Sequence, residues 1–256
     1  MAEGPRPRRS CILLLLLLAA GLVAAGAVAL IGREGDRTPS TRPIGLFTSL
    51  PILWRETSDL GELLNTDAPP HWALAVIEAH GRPQPIDTLA GRNGKLPLPA
   101  DALLIVAQPR PLSPAENVAL DDWVRGGGRV LLFADPLLTS HSAFALGDKR
   151  RPQDIALLSP ILTRWNLELQ FDEAQPFGER KADVLGDAMP VNLPGRFVTR
   201  NDRACKIAAE GLAARCRIGA GEVLAIADAA LLESGTSGDE PHRRAALDRL
   251  LAGIAP

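Results

Sequence analysis

A chain of 256 residues, 46% hydrophobic and 23% charged, has room for one sizeable core and the ordinary balance of a globular protein. Its formal net charge of -2 gives no electrostatic reason to propose a nucleic-acid partner. With 22 Pro, 23 Gly and no Tyr, stiff loops and few aromatic anchors are expected.

The N-terminus stands apart. Arg6, Arg8 and Arg9 precede a stretch from Ile12 to Ile31 that is uncharged and almost wholly Leu, Ala, Val and Gly. Twenty such residues are long enough to span a bilayer. The pattern predicts a cytoplasmic basic N-terminus over 1–11, one transmembrane signal anchor over 12–32, a linker over 33–42 and a periplasmic domain over 43–256. The protein is thus expected in a bacterial inner membrane, single-pass, with its C-terminal domain in the periplasm. A cleavable signal peptide, with small residues at Ala25 and Ala27, is the rival reading. The apolar run exceeds the usual signal-peptide core, which favours a retained anchor. Cys11 lies at the start of the run and does not resemble a lipid-attachment cysteine.

Ile44–Leu50 reads as a first strand between Pro43 and Pro51, and Asp59 can cap a short helix through Leu64. The segment from Pro70 to Gly81 carries an apolar run that would suit a buried strand, but proline at its start, His80 in the last turn and Gly81 as stop are helix punctuation and favour a helix. Gln84–Leu89 and Ala102–Ala107 read as strands. The best-defined unit follows, from Leu112 to Pro136. Ser113 is placed to cap a helix, Pro114 suits its first position and Glu116 completes a capping box. Val118, Leu120, Trp123 and Val124 recur at roughly helical spacing. Gly126–Gly128 stops the helix, and Val130–Ala134 is a continuous apolar run of the kind a doubly covered parallel strand shows.

Beyond Pro136, a helix from Ile155 to Trp165 broken near Pro160 and a strand over Leu167–Phe171 are expected. Gln175 to Gly195 carries little pattern. Ala204–Ala209 and Leu212–Ile218 flank Glu210-Gly211 as a hairpin, which sets Cys205 opposite Cys216. Both cysteines lie in the segment assigned to an oxidising compartment, so a structural disulfide is expected. Val223–Ala227 and a helix over Pro241–Ile254 complete the chain. The order predicts an α/β class, with an open, mostly parallel sheet covered by helices on both faces.

Asp135 and Asp228 leave the C-terminal ends of two predicted parallel strands, where open α/β sheets place ligands. They are the candidate ligand-binding residues. Either they form a polar floor for a ligand or cation, or each caps the turn that follows it. The triple glycine lies between a helix and the next strand, the wrong place for a phosphate loop. No Gly-x-Ser-x-Gly elbow exists, and the four histidines lack metal-ligand spacing, so no catalytic residue, metal or cofactor is assigned.

Three blocks carry a resemblance: Asp101-ALLIVAQP, then LSPAENVALDDWVRGGGRVLLFADP, then RIGAGEVLAIADAALLE. They resemble the auxiliary domain of an uncharacterised class of ABC-type transport systems that includes gliding-motility-type transporter subunits. The resemblance implies a flavodoxin-like, class I glutamine amidotransferase-like fold. It also implies permease and ATPase subunits as partners. Amidotransferases hold a nucleophilic Cys at a strand-to-helix turn. The corresponding turn here is Asp135-Pro136-Leu137, which implies a non-catalytic relative. The function expected is a membrane-anchored accessory component whose periplasmic domain binds a partner subunit or an envelope ligand. The alternative is an envelope hydrolase using Asp135 and Asp228.

Overall fold

Five strands form a parallel set: β1 (Pro43–Thr48), β2 (Arg82–Pro85), β3 (Leu103–Ala107), β4 (Arg129–Phe133) and, late in the chain, β11 (Gly221–Ile226). These come from a computed structural model that describes residues 42–57, 69–200, 203–233 and 239–255. The anchor expected over 12–32 and the helix expected from Asp59 lie outside the described residues, as does the linker up to residue 41. No helix among the described residues is long and apolar enough to cross a membrane.

Two more strands, β9 (Cys205–Ala208) and β10 (Ala213–Ile218), extend the parallel set in antiparallel fashion, giving the order β2-β1-β3-β4-β11-β10-β9. All five residues of β3 are buried, as are four of the five in β4, which explains their unbroken apolar sequences. The order β2-β1-β3-β4-β11 is the flavodoxin-like doubly wound order. After β1 the chain steps one way to β2, and after β3 it steps the other way to β4. Right-handed crossovers therefore put α1 (Trp72–His80) and α2 (Pro114–Arg125) on opposite faces. The last helix, α4 (Glu240–Ile254), packs against α1, where His80 Nε2 meets Asp248 at 2.8 Å. The short α3 (Ser159–Arg164) packs against α2.

The expected helix break at Pro160 is a helix start instead. Pro160 sits in the first turn, where a missing N–H costs nothing. The strand expected over Gln84–Leu89 lies earlier, at Arg82–Pro85. Pro83 and Pro85 confine it to the sheet edge, where only β1 pairs with it. The stretch from Gln175 to Gly195 contains a hairpin, β6 (Arg180–Val184) and β7 (Asp187–Val191), and is followed by β8 (Arg196–Thr199), which pairs with β5 (Leu167–Gln170). In the β9–β10 hairpin the register is the expected one. The turn is wider, however, spanning Ala209–Leu212, with Ala209 at φ 50° and Glu210 at φ 55°. A disulfide joins Cys205 to Cys216, whose Cα atoms lie 4.0 Å apart.

Candidate functional site at the carboxyl edge of the sheet

Asp135 follows β4 and Asp228 follows β11, so the parallel pairing of those strands brings both carboxyls to one edge. They are 1% and 0% exposed. Asp135 accepts from the N–H of Leu137 at 2.8 Å and from that of Ala229 at 3.1 Å. Asp228 accepts from the N–H of Ala230 at 2.6 Å and from that of Asn192 at 2.9 Å. All four carboxylate oxygens thus hold backbone amides. Two of these bonds are local turn caps. The other two tie β4 to the segment after β11, and β11 to the end of β7.

The electrostatics are strained. Burial is the main reason that the Asp135 carboxyl is pushed up to about 7, against the pull of its two amide donors. Asp228 is pushed well above the aspartate range, first by burial and then by the charge of Asp135. A third carboxyl, Glu233, is raised by burial too, while the amides of Ser140 and Thr139 oppose the shift. Arg243 of α4 is 1% exposed. It donates to the carbonyls of Ala230 and Leu231 and pairs with Glu179, which fixes the segment after Asp228 from the other side. Its role was not visible in the sequence, where it reads as a helix-surface arginine.

The topological switch point lies between β1 and β3, and here ligands of this fold class usually enter. Gln108 closes it. This residue sits at φ 41° and is fully buried. Its amide donates to the carbonyls of Asp135 at 3.1 Å and Gln153 at 2.9 Å, and its side-chain oxygen accepts from the N–H of Asp135 at 3.0 Å. Ser49 donates to the Gln108 carbonyl and accepts from the Gln153 N–H at 2.9 Å. The loop after β4 therefore folds into the crevice. Beside it, Glu116 is 3% exposed and accepts from Arg110, Thr88 and the amides of Ser113 and Leu89. Burial opposes its ionisation, but the Arg110 guanidinium and the amides outweigh that and hold the carboxyl well below the usual range.

Among the described residues no group of three or more His, Cys, Asp or Glu is placed to hold a metal. The two cysteines among the described residues lie in the β9–β10 hairpin, bonded to one another. The turn after β4 offers no sulfur nucleophile.

The model of a domain of unknown function, DUF4350, matches residues 75–251, which span the crossover helices, β3 to β11 and most of α4. The chain belongs to the DUF4350 family. No curated protein matches it. Among solved structures, it is similar to part of an exo-β-1,4-mannosidase from Opitutaceae bacterium strain TAV5. The identity there is 16% and the TM-score 0.51, over 91% of this chain and 38% of that one. A catalytic mutant of a GH42 β-galactosidase from G. stearothermophilus matches at 12% identity and a TM-score of 0.46, over 84% of this chain and 30% of the enzyme. A cytoplasmic protein from Salmonella typhimurium matches at 10% identity and a TM-score of 0.47, over 84% and 99% of the two chains. This DUF4350 chain spans well under half the length of the two glycosidases. At such identities the likeness to the mannosidase is one of fold alone.

Proposed function

We propose that this DUF4350 protein is a membrane-anchored, non-enzymatic accessory component of an ABC-type transport system, whose domain binds a partner subunit. One observation carries the reading. The edge where α/β sheets perform chemistry is filled by the chain itself, with every oxygen of Asp135 and Asp228 on a backbone amide and Gln108 sealing the switch point. A buried carboxylate with an amide on each oxygen organises loops, and both side chains lie out of reach of solvent. Those loops instead present apolar side chains outward: Leu146 is 81% exposed and Leu157 57%, with Trp54 nearby against Phe144. Such surface suits a protein partner. The resemblance of the three sequence blocks to transport-system auxiliary domains supplies the partner's class.

The test is site-specific photo-crosslinking from Leu146 and Leu157 in native membranes. Adducts with a multi-span permease or its ATPase are the expected result. Absence of such adducts from either position would refute the proposal.

A second reading, hydrolysis of envelope material, has one observation in its favour. Burial raises the proton affinity of both carboxyls, and the charge of Asp135 raises that of Asp228 further, as neighbouring carboxyls in acid–base sites do. It predicts an activity lost in both Asp135→Asn and Asp228→Asn while the fold persists.

A further inference from the structure

We propose that the loop after β4, residues 136–158, is a pH-responsive latch. It seals the carboxyl edge of the sheet while Asp135, Asp228 and Glu233 hold protons, and it lets go as they ionise. The loop carries Leu146 and Leu157, so release of a partner from that surface rests on the reading above, whereas the latch itself does not.

The first argument is convergence. The root of the loop is held from three directions. Asp135, at the end of β4, accepts from the Leu137 N–H at 2.8 Å. Glu233, beyond β11, accepts from the amides of Thr139 and Ser140. Asn192, whose own N–H is held by Asp228, donates from its side chain to Thr139 Oγ1 at 2.9 Å. Asp135 and Asp228 also take the amides of Ala229 and Ala230, just before Glu233. All three carboxyls thus grip the loop itself or the segments that hold it.

The second argument is charge. Ionised, the three are like charges: that of Asp135 bears on Asp228, and that of Glu233 on both. Burial opposes the ionisation of all three. The cation facing them is Arg243 of α4, whose charge favours an ionised Glu233. Arg243 is already shared with Glu179 and Asp239, and Lys181 of β6 pairs with Asp239 in turn. From the cap of α1, His71 reaches the Leu232 backbone between Glu240 and Arg244, and burial pulls its pKa down. Within the loop, Arg150 pairs with Asp148 and Arg151 with Asp154, and His141 and Lys149 are exposed. Glu56 is bonded to Ser142 and to the Ala143 N–H. Gln108 and Ser49, which hold Gln153 of the loop, carry no charge.

The third argument is the loop's modest hold on the core. It contains no helix or strand of its own. Leu138, Phe144, Ala156 and Leu158 are buried beneath it, but Leu146, Ile155 and Leu157 face solvent. Such a segment opens at a smaller cost than the sheet unfolds. Opening lets water reach the carboxyls and returns them to their ordinary values. The closed loop therefore keeps its full hold below the ordinary aspartate value, and loses it as pH rises toward about 7, where Asp135 titrates in the fold.

Amide exchange of the purified full chain at pH 5 and pH 8, corrected for the intrinsic rate, tests the latch. Protection over 137–140 and 229–230 should fall at least about tenfold from the lower pH to the higher. Strands 130–133 and 223–226, which open only with the whole domain, should stay the better protected at both. Glu233→Gln removes one ionising group at the least buried of the three positions and should shrink the fall. Asp135→Asn should shrink it further. Glu116→Gln, at a buried carboxyl outside the cluster, should leave it unchanged. Constant protection over 137–140 overturns the proposal, as does protection there equal to that of the strands at both pH values. A fall of wild-type size in both Glu233→Gln and Asp135→Asn also overturns it. Should Asp135→Asn fail to fold, the wild type and Glu233→Gln decide alone. No partner is present in these measurements, so the latch and the transport reading stand or fall separately.

Discussion

Asp135 at the end of β4 accepts a hydrogen bond from the backbone N–H of Ala229, 94 residues further on, at 3.1 Å. That bond joins the two strands whose ends form the carboxyl edge. Asp135→Ala removes the acceptor for both Ala229 and Leu137. Loss of two buried bonds should lower stability by about 2 kcal/mol, measured by urea denaturation. Asp135→Asn keeps one acceptor and should cost about half as much.

The same group sets a pH dependence. Folding raises the Asp135 carboxyl from the ordinary aspartate value to about 7, chiefly by burial, and raises Asp228 too, by burial and by the charge of Asp135. Between about pH 4 and about pH 7 the native state thus binds more protons than the unfolded chain. Stability is complete at the acidic end and is lost as pH rises through the folded value. Melting temperature should therefore fall across this window, and Asp135→Asn should flatten the slope. A melting temperature that climbs between those limits would contradict the burial argument.

Glu116 behaves in the opposite sense. Its carboxyl is depressed in the fold, so its contribution is present above the unfolded glutamate value and is lost only as pH falls through the folded one. It binds the β2–β3 connection to α2 through Thr88 and the Leu89 amide. Glu116→Gln should cost about 2–3 kcal/mol, a figure that already discounts Arg110, whose side chain is 44% exposed. The cost should shrink in strong acid. Equal costs at neutral and strongly acidic pH would show that the charge is irrelevant.

The unit from Leu112 to Pro136 was legible because its signals are local: a capping box, a proline in the first turn and glycines at the stop. From it, and from the matching end of β11, the position of Asp135 and Asp228 at one sheet edge followed. What holds them there did not. Gln108 reads as the first residue of a Pro-rich turn, and only the packed loop after β4 gives its amide partners. Arg243 looks like one of two adjacent helix arginines until the carbonyls of Ala230 and Leu231 arrive beside it. The β6–β7 hairpin escaped because its turn places Leu185 at φ 58° beside Gly186, and leucine is no turn signal. In each case long-range contacts override weak local preferences.

The glycine turns at the opposite edge separate two kinds of glycine requirement. A Cβ on Gly221 would meet the backbone carbonyls of Val124 and Gly128, which cannot yield. Gly127 has open space around it but sits at φ 117°. Gly221→Ala should destabilise by about 3 kcal/mol through overpacking, and Gly127→Ala by about 1 kcal/mol through backbone conformation alone. Denaturant midpoints of the two variants test the order, and a larger cost at Gly127 would reverse the reasoning.

The last prediction concerns the bond between Cys205 and Cys216. They are 11 positions apart in sequence, and the register sets them face to face on β9 and β10. A loop this short limits the entropy removed from the unfolded chain, so the bridge contributes about 3 kcal/mol at most. Cys205 is 1% exposed and Cys216 0%, and both lie against the core beneath the antiparallel end of the sheet. Reduction should therefore be slow in the native state and fast once the chain is unfolded. Cys205→Ser/Cys216→Ser should fold and lose up to that amount in urea. The proposed periplasmic placement adds a sharper demand, since an oxidising compartment forms the bond and the cytoplasm does not. Thiol labelling of membrane-extracted protein in denaturant should modify Cys11 alone until a reductant is added. If Cys205 and Cys216 also label without reductant, the bond is absent in the cell, and the periplasmic placement falls with it.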